Sequence, residues 1–128
     1  KKNVIVLRKG KNVFPEEIEH ELKVLPYKEE AIIVGIPSAE DERDLVVTLK
    51  LVYNPEGFEG KTPEEINAIV KADVEKINDK LPPYKRIKRV YTTDEPMEKT
   101  STQKVKRFVE TQKIIDEEKA EKLRREEA

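Results

Sequence analysis

The first apolar run of the chain predicts a short strand followed by a turn. Residues 3–7 (NVIVL) are apolar and rich in β-branched side chains, which favour a strand. Residues 8–12 (RKGKN) follow as a polar turn, in which Gly10 can adopt a positive φ without steric cost. We therefore expect a β-hairpin-like segment at the N-terminus.

Apolar residues at helical spacing predict two amphipathic helices. The first begins with Pro15 and the acidic pair Glu16 and Glu17, which suit the positive end of a helix dipole, and Pro26 ends it. The second begins at TPEE (62–65), a capping box with proline at the first helical position. The residues that share one face are Ile18, Leu22 and Leu25 in the first helix and Ile66, Ile69, Val70, Val74, Ile77 and Leu81 in the second.

Three further apolar runs predict the strands of a sheet. Residues 30–36 and 45–53 are joined by a polar turn, and a third strand is expected around 87–92. A loop at 94–103 and a last helix from Val105 complete the order β-α-β-β-α-β-α. This order predicts a small α+β domain with a short, mostly antiparallel three-stranded sheet packed by helices.

The chain is strongly charged and yet almost neutral overall. Charged residues make up 41% of its 128 residues, but the formal net charge is -1, so no global field attracts nucleic acid or an anionic membrane. The absence of cysteine excludes disulfides and Cys-based metal sites. No apolar stretch has the length of a membrane span, and no signal peptide is visible. We expect a cytoplasmic protein with at most peripheral membrane association.

Two features could indicate a metal site and a nucleic-acid-binding face, but in both cases the residues favour an ordinary surface. His20 lies between Glu19 and Glu21 on the polar face of a helix, and one histidine makes no metal centre, so we predict no metal site. Residues 84–89 (YKRIKR) alternate basic and apolar side chains, and a strand there would present a basic face to nucleic acid. A solvated strand edge is the favoured interpretation, and we predict no nucleic-acid partner.

The nine residues 99–107 (KTSTQKVKR) contain four basic and three hydroxyl side chains. The residues alone favour a polar loop that caps the last helix. The other interpretation is that Lys104, a compact charge on a flexible stem, meets a phosphate. Thr100 and Thr102 would then support the loop by hydrogen bonds to its backbone.

Three stretches in this order resemble the small C-terminal domain of the adenylate-forming acyl-CoA synthetase superfamily, which includes luciferases and nonribosomal-peptide adenylation domains. They are NVIVLRKGKNVFPEEIE (3–19), AIIVGIPS (31–38), and LPPYKRIKRVY (81–91) leading into TSTQKVKR (100–107). Gln103 stands where most members have glycine. A bulkier residue there, together with the K-x-K-R ending, is similar to the long-chain fatty acyl-CoA synthetases.

The resemblance implies roles for several residues. Lys104 aligns with the adenylation lysine, and Lys2 aligns with the hinge position. Gly10 aligns with the glycine of the loop that lines the pantetheine tunnel. Lys11 and Asn12 flank that loop.

The resemblance also implies a divided protein. Residues 1–110 would be the C-terminal lid domain of an AMP-forming ligase, and 111–128 a charged helical tail. The large N-terminal adenylation domain is the implied partner and is absent from this sequence. ATP, CoA and Mg²⁺ would serve the full-length enzyme with a carboxylic, fatty acid substrate, whereas this domain alone would bind no cofactor and be inactive. Two alternatives to a CoA ligase remain: an adenylating enzyme that acylates a carrier protein, and a non-enzymatic basic binding module.

Overall fold

The computed structural model describes residues 3–127, which form two compact units. The first unit ends at Pro96 and contains five strands and two α-helices. The second begins at Met97 and contains a small hairpin and one long helix. The α+β class predicted from the sequence is confirmed.

An antiparallel hairpin opens the first unit. Strand β1 (Ile5–Val6) pairs with β2 (Asn12–Val13), so that Ile5 faces Val13 across the pair. Two backbone bonds close the turn: the Leu7 N–H donates to the Lys11 carbonyl at 2.9 Å, and the Gly10 N–H donates to the Leu7 carbonyl at 2.8 Å. The predicted hairpin is confirmed, with a first strand shorter than residues 3–7 and a second strand that includes Asn12, which we had assigned to the turn.

The main sheet has three strands, with β4 in the centre. Strands β3 (Lys28–Pro37) and β4 (Leu45–Tyr53) form a long antiparallel pair. Strand β5 (Arg89–Thr93) lies on the other side of β4 and runs parallel to it. The predicted three-stranded sheet is confirmed, and its last pairing makes it mixed. A parallel pairing requires a long crossover, which helix α2 (Pro63–Asn78) provides here.

The core of the first unit lies between one face of this sheet and two helices. Strand β4 contributes Leu49 and Leu51, both fully buried, and helix α1 (Pro15–Glu21) contributes Ile18. Burying one such side chain fully contributes about 1.5–3 kcal/mol. The other buried members of the cluster are Ile5, Val13, Leu22, Leu25, Ile33, Val47, Phe58, Ile66, Val70, Val74, Ile77 and Ile87. Short 3₁₀ helices connect the elements at Leu22–Val24, Pro55–Phe58 and Pro83–Lys85.

A capping box starts helix α2, and the side chain of its last residue ties its end to the segment that leads to β5. At its start the predicted capping box is present: the Glu65 N–H donates to Thr62 Oγ1, and the Thr62 N–H donates to Glu65 Oε1 at 2.8 Å. At its end the side chain of buried Asn78 accepts from the Ile87 N–H at 2.9 Å and donates to the Ile87 carbonyl at 3.0 Å. The Asn78 amide thus occupies both backbone groups of Ile87, as a neighbouring strand would. Strand β5 therefore begins at Arg89 and not at residue 87.

The second unit consists of a hairpin followed by helix α3 (Arg107–Glu127). The helix begins two residues later than the predicted start at Val105, because Val105 pairs with Lys99 in an antiparallel bridge. The Lys106 N–H donates to the Glu98 carbonyl at 2.8 Å and closes the base of the same hairpin. In the charged C-terminal half of α3, Arg124 lies 3.7 Å from Glu121, one turn away.

Candidate functional site

Residues 99–105 form a tightly closed turn rather than an open loop. The Thr100 N–H donates to the Lys104 carbonyl at 2.8 Å, and the Gln103 N–H donates to the Thr100 carbonyl at 2.9 Å. Together with the Lys99–Val105 bridge, these bonds describe a short hairpin loop that ends in one left-handed residue. The sequence predicted a loop at 94–103, and the structure gives the second half of it a defined shape.

Both threonine hydroxyls form hydrogen bonds inside this turn. Thr100 Oγ1 accepts from the Lys104 N–H at 3.3 Å and lies 3.0 Å from Thr102 Oγ1. Such side-chain bonds to local backbone fix a turn that would otherwise sample several conformations. The Thr100 hydroxyl bonds to backbone and the Thr102 hydroxyl lies against that of Thr100, and the support of the loop by these two residues stays a prediction.

Gln103 occupies a backbone conformation that favours glycine. Its φ is +66°, and it is the one non-glycine residue with a positive φ among residues 3–127. A side chain in the left-handed region costs roughly 1–2 kcal/mol. Glycine, which the resemblance implies at this position in most members, would avoid this cost, whereas this chain has glutamine there.

Lys104 directly follows the left-handed residue, and its side chain is exposed. Within the unit that starts at Met97, none of the described carboxylates forms an ion pair with it. Its backbone is bonded on both sides, through its N–H to Thr100 Oγ1 and through its carbonyl to the Thr100 N–H. The turn therefore fixes the start of the lysine stem and leaves the ammonium free to meet an anion.

A buried carboxylate lies at the base of the same hairpin. Glu110 on α3 has no exposed surface, and its Oε2 accepts from the Glu98 N–H at 2.9 Å. Lys113 lies 3.4 Å from the same oxygen and 2.8 Å from Glu98 Oε2. The Glu98 carboxylate, which accepts this hydrogen bond, raises the pKa of Lys113, and the charge of Glu110 adds to the rise. Sequence reasoning missed this cluster, because nothing in a highly charged helix marks one glutamate as buried.

The Gly10 turn belongs to the other compact unit. Gly10 has a φ of +88°, and a Cβ built there would meet no atom within 4 Å. Lys11 Nζ lies 5.0 Å from the centroid of the Tyr84 ring, a cation–π distance. Asn12 is exposed and pairs with Val6 in the hairpin. Gly10, Lys11 and Asn12 are thus exposed and consecutive, running from the turn into the first residue of β2, whereas the predicted hinge residue, Lys2, lies outside the described residues.

The basic stretch at 84–89 does not form the basic strand face that its alternation suggested. Lys85 lies in a 3₁₀ helix and its Nζ is 3.7 Å from Glu17 Oε1. Arg86 Nε donates to the carbonyls of Asn78 and Leu81, at 3.0 and 3.1 Å. The prediction of a strand from residue 87 is wrong at this end, because these bonds tie the segment to the end of α2.

No metal centre is formed by the part of the chain that the structure describes. His20 is exposed, and residues 3–127 contain no group of three or more histidine, aspartate or glutamate side chains that could hold a metal ion. None of the described helices combines the length and the apolar composition needed to cross a bilayer.

Comparison with known proteins identifies the family. The family model described as AMP-binding enzyme C-terminal domain matches residues 2–117. The chain belongs to this family. This AMP-binding C-terminal domain has no significant match among curated protein sequences. The resemblance stated from residues 3–19, 31–38, 81–91 and 100–107 is confirmed at the level of the family.

Solved structures show the same fold. Apo MatB from Rhodopseudomonas palustris superposes with a TM-score of 0.67 at 26% identity, covering 88% of this chain and 20% of that one. An acyl-CoA synthetase from Brucella canis gives 0.68 at 24% identity, covering 91% and 20%. A fatty acyl CoA synthetase from Mycobacterium tuberculosis gives 0.67 at 20% identity, covering 88% and 20%. The AMP-binding C-terminal domain described here therefore spans about a fifth of the length of these proteins.

Proposed function

We propose that this chain is the mobile C-terminal domain of an AMP-forming acyl-CoA ligase and that Lys104 is its adenylation lysine. The observation that carries the proposal is an exposed ammonium without an ion pair in its own unit, on a turn whose backbone is bonded at both ends. Membership of the AMP-binding C-terminal domain family supports it. The proposed partner is a large N-terminal adenylation domain, which would hold the nucleotide and the acid.

In the proposed first step, a carboxylate oxygen of the acid attacks the α-phosphorus of ATP. A bond forms to give the acyl-adenylate, and the bond to the departing pyrophosphate breaks. Negative charge accumulates around phosphorus while the anionic carboxylate approaches. A positioned ammonium, that of Lys104, stabilises this charge, and the loss of one such contact costs on the order of 10² to 10³ in rate.

In the proposed second step, the thiol of CoA attacks the acyl carbon and AMP leaves. The same space must then admit a pantetheine arm instead of a lysine. We propose that the domain rotates about Lys2, withdrawing Lys104 and bringing in the exposed segment of Gly10, Lys11 and Asn12. The missing side chain at Gly10, with open space around it, supports a close approach of the ligand to this backbone.

A fatty acid is the substrate class that we propose. The support is the residue pattern of the Lys104 turn, in which Gln103 replaces glycine and a K-x-K-R sequence follows, similar to the long-chain group. ATP is the proposed nucleotide, and an ATP-bound structure of MatB from Rhodopseudomonas palustris is among the similar proteins. Mg²⁺ commonly binds through substrate phosphates and one or two carboxylates, and we propose that it accompanies the nucleotide in the partner domain.

The two half-reactions of the complete ligase test the role of Lys104. Lys104→Ala should lower the rate of acyl-adenylate formation by about 10² to 10³. The same variant should convert supplied acyl-adenylate and CoA to thioester at the normal rate. Lys106→Ala is the matched control, because Lys106 is also exposed and lies two residues away. An equal loss in both half-reactions, or an effect of Lys106→Ala as large as that of Lys104→Ala, would contradict the proposal.

A second experiment tests the division of labour. The chain of Lys1–Ala128 alone, given ATP, Mg²⁺, a fatty acid and CoA, should produce no thioester, whereas addition of its adenylation domain on the same polypeptide should restore activity. Turnover by the isolated chain would refute the proposal. Thioester formation on a carrier protein in place of free CoA would keep the adenylation role and replace the proposed acceptor.

A further inference from the structure

The second unit contains a buried carboxylate whose hydrogen bonds lead to the turn that carries Lys104. We propose that Glu110 is a positioning residue for acyl-adenylate formation, which acts by fixing the base of this hairpin. The inference rests on the proposed function of Lys104 and adds a residue that touches neither ATP nor acid. Its basis is the set of contacts that joins Glu110, Glu98 and Lys113.

Glu110 is a buried acidic side chain that contacts a backbone donor and an ammonium group. It lies on the first turn of α3 with no exposed surface, and an ionised carboxylate in such a place is costly unless it is paired and hydrogen-bonded. Its Oε2 receives the Glu98 N–H at 2.9 Å and the ammonium of Lys113 at 3.4 Å. Hydrogen bonds to an ionised acceptor are roughly twice as strong as neutral ones. The carboxylate therefore anchors Glu98 firmly to the helix.

Glu98 is the residue through which this anchor reaches the turn. Its carbonyl accepts the Lys106 N–H at 2.8 Å, and the next pair inward is the Lys99–Val105 bridge. Its side chain is held a second time by Lys113, 2.8 Å away. Both strands of the hairpin thus meet at a point that Glu110 fixes, and Lys104 lies one residue beyond the bridge.

The turn itself needs such an anchor. Gln103 holds a left-handed backbone conformation, and strained conformations persist where the surrounding structure over-determines them. A loosened base would let the turn relax away from this conformation and carry the stem of Lys104 with it. A displacement of about 1 Å in a catalytic group can cost about 10²-fold in rate.

The complete ligase with Glu110→Leu tests the inference. This variant removes the acceptor for the Glu98 N–H and replaces the carboxylate with an apolar side chain of similar volume. We expect the kcat of acyl-adenylate formation to fall between about tenfold and 10²-fold, with little change in the KM for ATP. Thioester formation from supplied acyl-adenylate should be unchanged. A role in stability alone would lower both half-reactions together, and this outcome, like an unchanged adenylation rate, would overturn the inference.

A milder variant covers the case in which Glu110→Leu does not fold. Lys113 is partly exposed, so Lys113→Gln should fold normally and remove only the ionic part of the anchor. We expect the rate of acyl-adenylate formation alone to fall about two- to fivefold, because the interaction energy of a partly exposed ion pair corresponds to a factor of this order. Glu117→Gln is the control, because Glu117 is an exposed glutamate on the same helix. No fall with Lys113→Gln, or an equal fall with Glu117→Gln, would overturn the inference.

The Lys104→Ala experiment separates the two proposals. If Lys104→Ala leaves adenylation intact, the proposed function fails and the positioning role fails with it. If Lys104→Ala blocks adenylation whereas the Glu110 and Lys113 variants behave as the wild type, only the positioning role is refuted.

Discussion

The two turns of this molecule, around Gly10 and around Lys104, solve the same backbone problem in different ways. Each needs a residue with a positive φ, and the first uses glycine whereas the second uses Gln103. The Gly10 turn is closed by two backbone bonds. The Lys104 turn adds two hydroxyl groups inside and a buried carboxylate at its base. The difference agrees with the roles that we propose: a Gly10 turn that lets a ligand pass close to its backbone, and a Lys104 turn that holds one charge in place.

A side chain at Gly10 should break the first turn. In Gly10→Ala the methyl group has space, but a φ of +88° strains the backbone of any residue with a Cβ. We therefore expect a loss of about 1–2 kcal/mol in the free energy of unfolding. Urea denaturation measures this loss. Gly57→Ala is the control, since Gly57 has no positive φ and its Cβ would make only an ordinary contact at 3.5 Å. Equal effects of the two substitutions would show that φ is not the cause.

Removal of one hydroxyl should loosen the second turn without unfolding the protein. Thr100→Val keeps the shape of the side chain but loses the acceptor for the Lys104 N–H, at a cost of about 0.5–1.5 kcal/mol. Hydrogen exchange at the Lys104 amide should therefore accelerate several-fold. Ser101→Ala, in the same exposed turn, should leave this exchange rate unchanged. An unchanged exchange rate of the Lys104 amide in Thr100→Val would show that the hydroxyl does not hold the turn.

Glycine at position 103 should make the two turns alike. Gln103→Gly removes the left-handed strain but adds chain entropy to the unfolded state, so we expect a net gain of about 0.5 kcal/mol. Thermal unfolding measures this gain, and Gln112→Gly, at an exposed position within α3, should instead destabilise by about 1 kcal/mol. A loss of stability in Gln103→Gly would mean that the glutamine side chain contributes more than its backbone costs.

The smallest effect is expected at the ion pair beside the Gly10 turn. Arg8 lies 3.2 Å from Asp41 and is largely exposed, so Arg8→Ala should cost less than about 1 kcal/mol. The backbone hydrogen bond from Arg43 lowers the pKa of Asp41 below its usual value. A lowered folded-state pKa means that this carboxylate stabilises the fold above about pH 4 and that the contribution is lost as the pH falls further. In urea denaturation, the loss of stability caused by Arg8→Ala should therefore shrink below this pH, whereas any loss caused by Lys9→Ala should not change with pH.

Features coded by neighbouring residues were predictable from the sequence. The capping box at Thr62 and Glu65 and the apolar face that follows depend on residues a few positions apart, and both are present. The long β3–β4 pair likewise joins two runs across one turn. Local patterns of this kind need no knowledge of the rest of the fold.

Features that depend on distant residues were not predictable. The start of β5 at Arg89 follows from the bonds between Asn78 and Ile87, and its parallel pairing follows from the crossover through α2. The burial of Glu110 is equally invisible in a helix rich in charge. Of the candidate site, the sequence identified Lys104, Gly10 and their neighbours through a family resemblance, but it gave neither the closed turn nor its anchor.

The mixed sheet has a consequence for the order in which the polypeptide assembles. Strands β3 and β4 are joined by a short turn and can pair early, whereas β5 reaches the other edge of β4 only after the whole of α2 has been synthesised. Until then the backbone of β4 presents one unpaired edge, and an unpaired apolar strand is a template for association between chains. Translation that stalls before Arg89 should therefore yield aggregates rather than a smaller soluble fold.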